Sequence, residues 1–128
     1  MVIDDDNIMV KLLEKQLGSA GHKIIGNLSC EGALKRLEME TPDLIILDLM
    51  FDGIDGIGIA RQIRERANTE KTPIVFITAA MDVKSDKGDG KLVIGKESFP
   101  IFAKPVHVPK LLATIRKALN RIENSQKS

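Results

Sequence analysis

The chain has 128 residues, the size of one ordinary domain, with 19 Lys plus Arg against 18 Asp plus Glu. Its net charge of +1 supplies no field to gather nucleic acid or a membrane surface, and four Phe with no Trp or Tyr leave little for stacking bases. Cys30, the single cysteine, excludes an internal disulfide and reads as a small buried hydrophobe in a reducing compartment. There is neither an apolar run of roughly 18 residues nor a signal-peptide pattern, so a cytoplasmic protein is expected.

"MVI" opens as a short strand, and "DDDNIMVKLLEKQLGSAG" follows as an acidic loop and a helix. Ile8, Leu12 and Leu13 lie at helical spacing, Asp6 or Asn7 can cap the first turn, and Gly18 or Gly21 can end the helix. "HKIIG" reads as the second strand, and "EGALKRLEMET" as a helix with Ala33, Leu34 and Leu37 inward, stopped before Pro42. "DLIIL" is the continuous apolar run of a strand buried on both faces; "GIGIARQIRERAN" is an amphipathic helix, and "PIVFI" is the fourth strand.

From Met81 to Ser98 the rhythm fails, in a stretch with three glycines and four lysines and no helical stripe. "KGDG" is a turn signal and "KLVIG" a short strand, so a hairpin or loop stands where the alternation demands a helix. The expected fourth helix is therefore shortened, displaced or replaced by extended chain. "FPIFA" is the fifth strand, and "VPKLLATIRKALNRI" the last helix, with Pro109 in its first turn and Leu112, Ile115, Leu119 and Ile122 on one face. A polar tail begins at about residue 123.

Strands alternating with helices predict an α/β fold: one domain over residues 1–128, a doubly wound, five-stranded parallel sheet with an atypical fourth helix region, for which the order expected is the 2-1-3-4-5 common to flavodoxin-like sheets. In such a sheet the C-terminal strand ends share one rim, so Asp4 and Asp5 after the first strand, Asp48 after the third, Thr78 after the fourth and Lys104 after the fifth converge. With the first and third strands adjacent, Asp4, Asp5 and Asp48 are too close to ionise fully without a cation, and an all-oxygen donor set suits Mg²⁺. His22 and His107 have no zinc-ligand spacing and read as surface or packing residues. A carboxylate beside Mg²⁺ can attack phosphorus, with Thr78 and Lys104 placed to bind the phosphoryl oxygens. Asp6 reads as a helix cap, and Asp52 and Asp55 as loop-turn residues.

Through "VIDDDN", "PDLIILDLMFDGIDG", "PIVFITAA" and "AKPV", in this order, the chain resembles the receiver domain of two-component response regulators. The resemblance implies that Asp48 is the phosphoacceptor, that Asp4 and Asp5 serve Mg²⁺ with the backbone carbonyl of Met50, that Thr78 is the switch hydroxyl and Lys104 the invariant lysine. It implies a cis bond before Pro105, and a phosphohistidine on a partner kinase or phosphotransfer protein as donor. Phosphorelay signalling to a downstream protein follows from it, without direct nucleic-acid or membrane contact and with room for a homodimer. Asp52 departs from the family's loop proline and Ile101 from its switch aromatic. Met50 and Ala80 cannot hold an attacking water with their side chains, which predicts slow loss of the phosphoryl group.

The chain is thus read as a signalling phosphoacceptor rather than an enzyme, promoting only its own phosphorylation and dephosphorylation. The alternative is a receiver-like interaction module that works independently of phosphorylation. A phosphohydrolase is disfavoured because "LDLM" has no acid two residues after Asp48. A nucleotide-binding domain is weaker still, because no Walker-type loop occurs and the glycines of "GIGIAR" serve loop and helix-start geometry.

Overall fold

The computed structural model describes residues 1–51, 54–79 and 90–126. In chain order the elements are β1 (Val2–Ile3), α1 (Asn7–Ser19), β2 (Gly26–Asn27), α2 (Cys30–Leu37), β3 (Ile45–Asp48), β4 (Met50–Phe51), β5 (Ile54–Asp55), α3 (Gly56–Glu65), β6 (Ile74–Thr78), β7 (Gly90–Ile94), β8 (Glu97–Ala103) and α4 (Val108–Gln126). None of the described helices is long and apolar enough to cross a membrane.

The main sheet runs β2-β1-β3-β6-β8-β7. Its first five strands are parallel and stand in the order expected from the sequence, while β4 and β5 form a separate two-stranded ribbon. The unbroken apolar runs are explained by burial on both faces. Ile45, Leu47, Ile74 and Phe76 point into one cluster with Ala33, Leu37, Ile59 and Ile63 of α2 and α3. Ile46, Val75 and Ile77 point into the other, with Met9, Leu13 and Leu17 of α1 and Leu111 and Ile115 of α4.

β7 is an addition to the expected five strands. It pairs antiparallel with β8 around a two-residue turn, Gly95–Lys96, where Gly95 takes a φ of +63° that a side chain would disfavour. Residues 90–98 are therefore extended chain where the α/β alternation asks for a helix; the "KGDG" signal falls largely in 80–89, outside the described residues. Ile101, the residue at which the resemblance would call for an aromatic, is buried in the core and lies opposite Phe76 on β6.

Several helix details differ from the sequence reading. The α1 stripe is Met9, Val10, Leu13 and Leu17, whereas Ile8 is 81% exposed and Leu12 40%. Asp6 caps this helix by accepting hydrogen bonds from the N–H groups of Ile8 (3.1 Å) and Met9 (3.2 Å). Ser29 caps α2, which ends at Leu37, well before Pro42. In α4 the most buried residue is Leu111 rather than Leu112, and the helix continues through the expected polar tail as far as Gln126. Cys30 is half-buried against the α2 and α3 side of the core.

Arg64 ties the hairpin to the body. Its Nε and Nη2 donate to both carboxylate oxygens of Glu97 at 2.8–3.2 Å, and Nη1 donates to the carbonyls of Thr72 (2.6 Å) and Thr69 (3.1 Å). The guanidinium also lies 5.5 Å from the centroid of the Phe99 ring, which meets Phe76 edge to face. With four partners on one planar fork, Arg64→Ala should cost about 1–3 kcal/mol. Glu97→Gln should cost less, because the carbonyl contacts survive. Urea melts of the two variants beside the parent check the ranking.

Candidate functional site

The site forms where β1 and β3 end side by side. Ile3 lies opposite Leu47 in the parallel pair, so the next residues, Asp4 and Asp48, leave the sheet together. Both are buried, at 0% and 4% exposure, while Asp5 faces solvent. One carboxylate oxygen from each of Asp4, Asp5 and Asp48 lies within 4.8 Å of the others.

Backbone amides orient the two buried acids. The Asp6 N–H donates to Asp4 Oδ1 (2.9 Å) and the Met50 N–H to Asp48 Oδ1 (3.1 Å). Their second oxygens face Lys104, whose Nζ stands 2.7 Å from Asp4 Oδ2 and 3.1 Å from Asp48 Oδ2. Lys104 follows β8, is held by its N–H donating to the Thr78 carbonyl (2.9 Å), and precedes a cis bond to Pro105. Thr78 ends β6 almost wholly buried, opposite Ala103 on β8.

These contacts set the charge balance. Burial, then the neighbouring Asp4 charge, raises the Asp48 pKa to about 6 against the opposing pull of the Lys104 hydrogen bond. Burial alone would lower Lys104, but its pairing with Asp4 and Asp48 outweighs that and holds it above the ordinary lysine value. Two charges 4.8 Å apart repel by about 3 kcal/mol at an effective dielectric near 20, and one ammonium among three carboxylates leaves an excess of two negative charges. A hard divalent ion matches both that excess and the oxygen donors.

The structure therefore brings Asp4, Asp5, Asp48, Thr78 and Lys104 to one rim. Met50 is next to them, in the β4 and β5 ribbon opposite Asp55. Asp6 and Asp55 are helix caps, Asp55 accepting from the Ile57 N–H at 2.9 Å. Asp52 and Ala80 lie outside the described residues. His107 accepts from the Lys110 N–H at 3.3 Å near the start of α4, and neither histidine belongs to a metal-binding cluster among the described residues.

Gly56 was not singled out by the sequence reading beyond its place at a helix start. A Cβ there would sit 2.5 Å from the Asp48 carbonyl oxygen and 2.9 Å from that of Leu49, to which the Gly56 N–H already donates at 2.7 Å. The start of α3 thus rests directly on the backbone that carries Asp48. The only sequence signal was "DG" at the loop-to-helix junction, which a cap explains equally well.

The family model described as the response regulator receiver domain matches residues 1–116. The chain is 38% identical over 125 residues to transcriptional regulatory protein AfsQ1 of Streptomyces coelicolor, covering 96% of this chain and 52% of that protein. It is 33% identical over 120 residues to the phosphate regulon transcriptional regulatory protein PhoB of Rhizobium meliloti, covering 94% and 51%. The chain thus spans about half the length of these curated relatives. A crystal structure of a response regulator receiver domain protein from Clostridium thermocellum superposes with a TM-score of 0.77 over 95% of this chain and 94% of that one; at 23% identity this likeness concerns the fold.

Gly56→Ala should lower stability by about 1–3 kcal/mol, since the obstructing atoms are backbone and cannot rotate away. Gly58, with open space around its Cα, is the control: Gly58→Ala should hold or raise stability. Thermal melts of both variants read the difference.

Proposed function

Because the chain belongs to the response regulator receiver family, we propose that it accepts a phosphoryl group on Asp48 and signals through the conformational change that follows. The observation that carries this reading is the meeting of Lys104 with the carboxylates of Asp4 and Asp48 beside Asp5. Members of this family are signalling phosphoacceptors; the finer reading is that this chain promotes only its own phosphorylation and dephosphorylation. The donor is a phosphohistidine on a sensor kinase or phosphotransfer protein, the receiver fold extends over residues 1–128, and the setting is cytoplasmic.

An Asp48 carboxylate oxygen attacks phosphorus, the P–N bond to the donor imidazole breaks, and the electron pair leaves with the ring. Asp4, Asp5, Asp48 and the Met50 backbone carbonyl would hold Mg²⁺, which supplies positive charge opposite the phosphoryl oxygens. Lys104 exchanges its Asp48 contact for one of those oxygens, and the Thr78 hydroxyl donates to another. The Asp6 and Met50 amides, donating to the Asp4 and Asp48 carboxylates, keep both acids in position while the ammonium moves. Met50 and Ala80, two positions after Asp48 and Thr78 in sequence, have no side chain that could hold an attacking water, so the acyl phosphate decays slowly.

A second reading, a module that binds its partner regardless of phosphorylation, is favoured by one feature: Ile101 is locked in the core and β7 joins its strand. A partner that binds Asp48→Asn as tightly as the parent would support it.

Treatment with acetyl phosphate and Mg²⁺ should add one phosphoryl group by intact mass, and a time course after donor removal should show slow loss. Asp48→Asn should abolish the addition, and an unmodified parent chain would overturn the proposal.

Without metal, the raised Asp48 pKa means that the folded chain binds the extra proton between about pH 4, the unfolded value, and pH 6. Its favourable contribution is complete below the unfolded value and is lost as pH rises through 6. Mg²⁺ at about ten times its dissociation constant should then add about 1.4 kcal/mol at pH 7.5 and progressively less below pH 6. Melts with Mg²⁺ and with EDTA across this range test it, with Asp48→Asn showing the smallest increment.

A further inference from the structure

β7 is bonded to β8 on one side, and no described strand lies along its other edge. Its two faces differ in chemistry. Leu92 and Ile94 are half-buried against the α2 and α3 side of the core. Lys91 lies opposite Pro100 and, with it, lines a groove toward α4 of about 320 Å³ that also includes Phe102, Thr114, Lys117 and Arg121. Among the described residues, three cations and no carboxylate line this groove. Val93, on the same side of the strand as Lys91, is 67% exposed. Glu97, the hairpin's own acid, is occupied by Arg64.

We propose that the outer edge of β7 takes up an extended segment of a partner protein in which carboxylates alternate with aliphatic side chains. A strand added about 4.8 Å beyond β7 would use its main chain for affinity and its alternate side chains for selection. Carboxylates on one face would reach the cationic groove, and aliphatic residues on the other would extend the Leu92 and Ile94 surface. A second copy of this chain fits less well, since pairing β7 with its own symmetry mate would bring two sets of these cations together. The interaction goes beyond the phosphoacceptor reading and requires nothing on Asp48, so the two can fail separately.

The probe is a labelled, blocked peptide, Glu-Val-Asp-Ile-Glu-Val-Asp, titrated by anisotropy against the whole unphosphorylated chain, with backbone amide shifts mapping the contact. Controls are a peptide of the same composition with its acids grouped at one end, and one with Lys in place of every acid. The alternating peptide should bind with shifts along β7 and facing α4, and the triple variant Lys91→Glu, Lys117→Glu, Arg121→Glu should weaken it by about tenfold or more. All three positions are exposed, and the corresponding triple Ala variant, which should weaken binding less, gives an independent measurement should charge reversal disturb the fold. No binding, equal binding of the grouped peptide, no loss on charge reversal, shifts elsewhere, or self-association that protects β7 would each overturn the proposal.

Discussion

The ammonium of Lys104, set between the buried carboxylates of Asp4 and Asp48, is the contact on which the arrangement of the rim depends. It draws together the ends of β1, β3 and β8, three strands far apart in sequence, and partly offsets a repulsion that would otherwise push the acid loops away from each other. Its compensation is incomplete by design of the donor set: one positive charge meets three negative ones. That deficit distinguishes the site from a structural salt bridge, which would be most favourable when balanced. The same lysine therefore holds the two buried acids together in the resting protein.

Much of this was legible because parallel topology converts sequence order into position. An apolar run followed by a polar residue is ambiguous alone, but four such runs pointing one way must place their endings together. The sheet order itself is not visible in the sequence; the expected one is the order common to five-stranded doubly wound sheets, and the pairing of β1 with both β2 and β3 agrees with it. Details that depend on helix phase were less accessible: "IMVKLL" offers apolar residues at nearly every turn angle, and packing against the sheet takes Met9 and Leu13 inward while Ile8 stays exposed. In α4 the adjacent leucines 111 and 112 present the same ambiguity, and the polar residues after Ile122 hide the fact that the helix continues.

Long-range contacts were silent in the sequence. Nothing local marks Arg64 as the partner of a glutamate 33 positions away, or Gly56 as a place where α3 abuts the backbone of Asp48. The sequence left a hairpin or a loop open after "KGDG", because glycine and lysine are spread through "KGDGKLVIGKES" and composition alone does not place a turn. The positive φ of Gly95 and the pairing of Ile94 with Glu97 place a turn at Gly95–Lys96, while most of "KGDG" lies outside the described residues.

α3 is gripped at both ends. At its start the Gly56 backbone abuts the Asp48 and Leu49 carbonyls; at its other end Arg64 grasps the hairpin tip and the carbonyls of Thr69 and Thr72. Ten helical residues make a strut about 15 Å long that compresses very little. A small shift of the Asp48 peptide unit then has two outlets: a void opening behind Gly56, which close-packed interiors resist, or travel of the whole strut toward the hairpin.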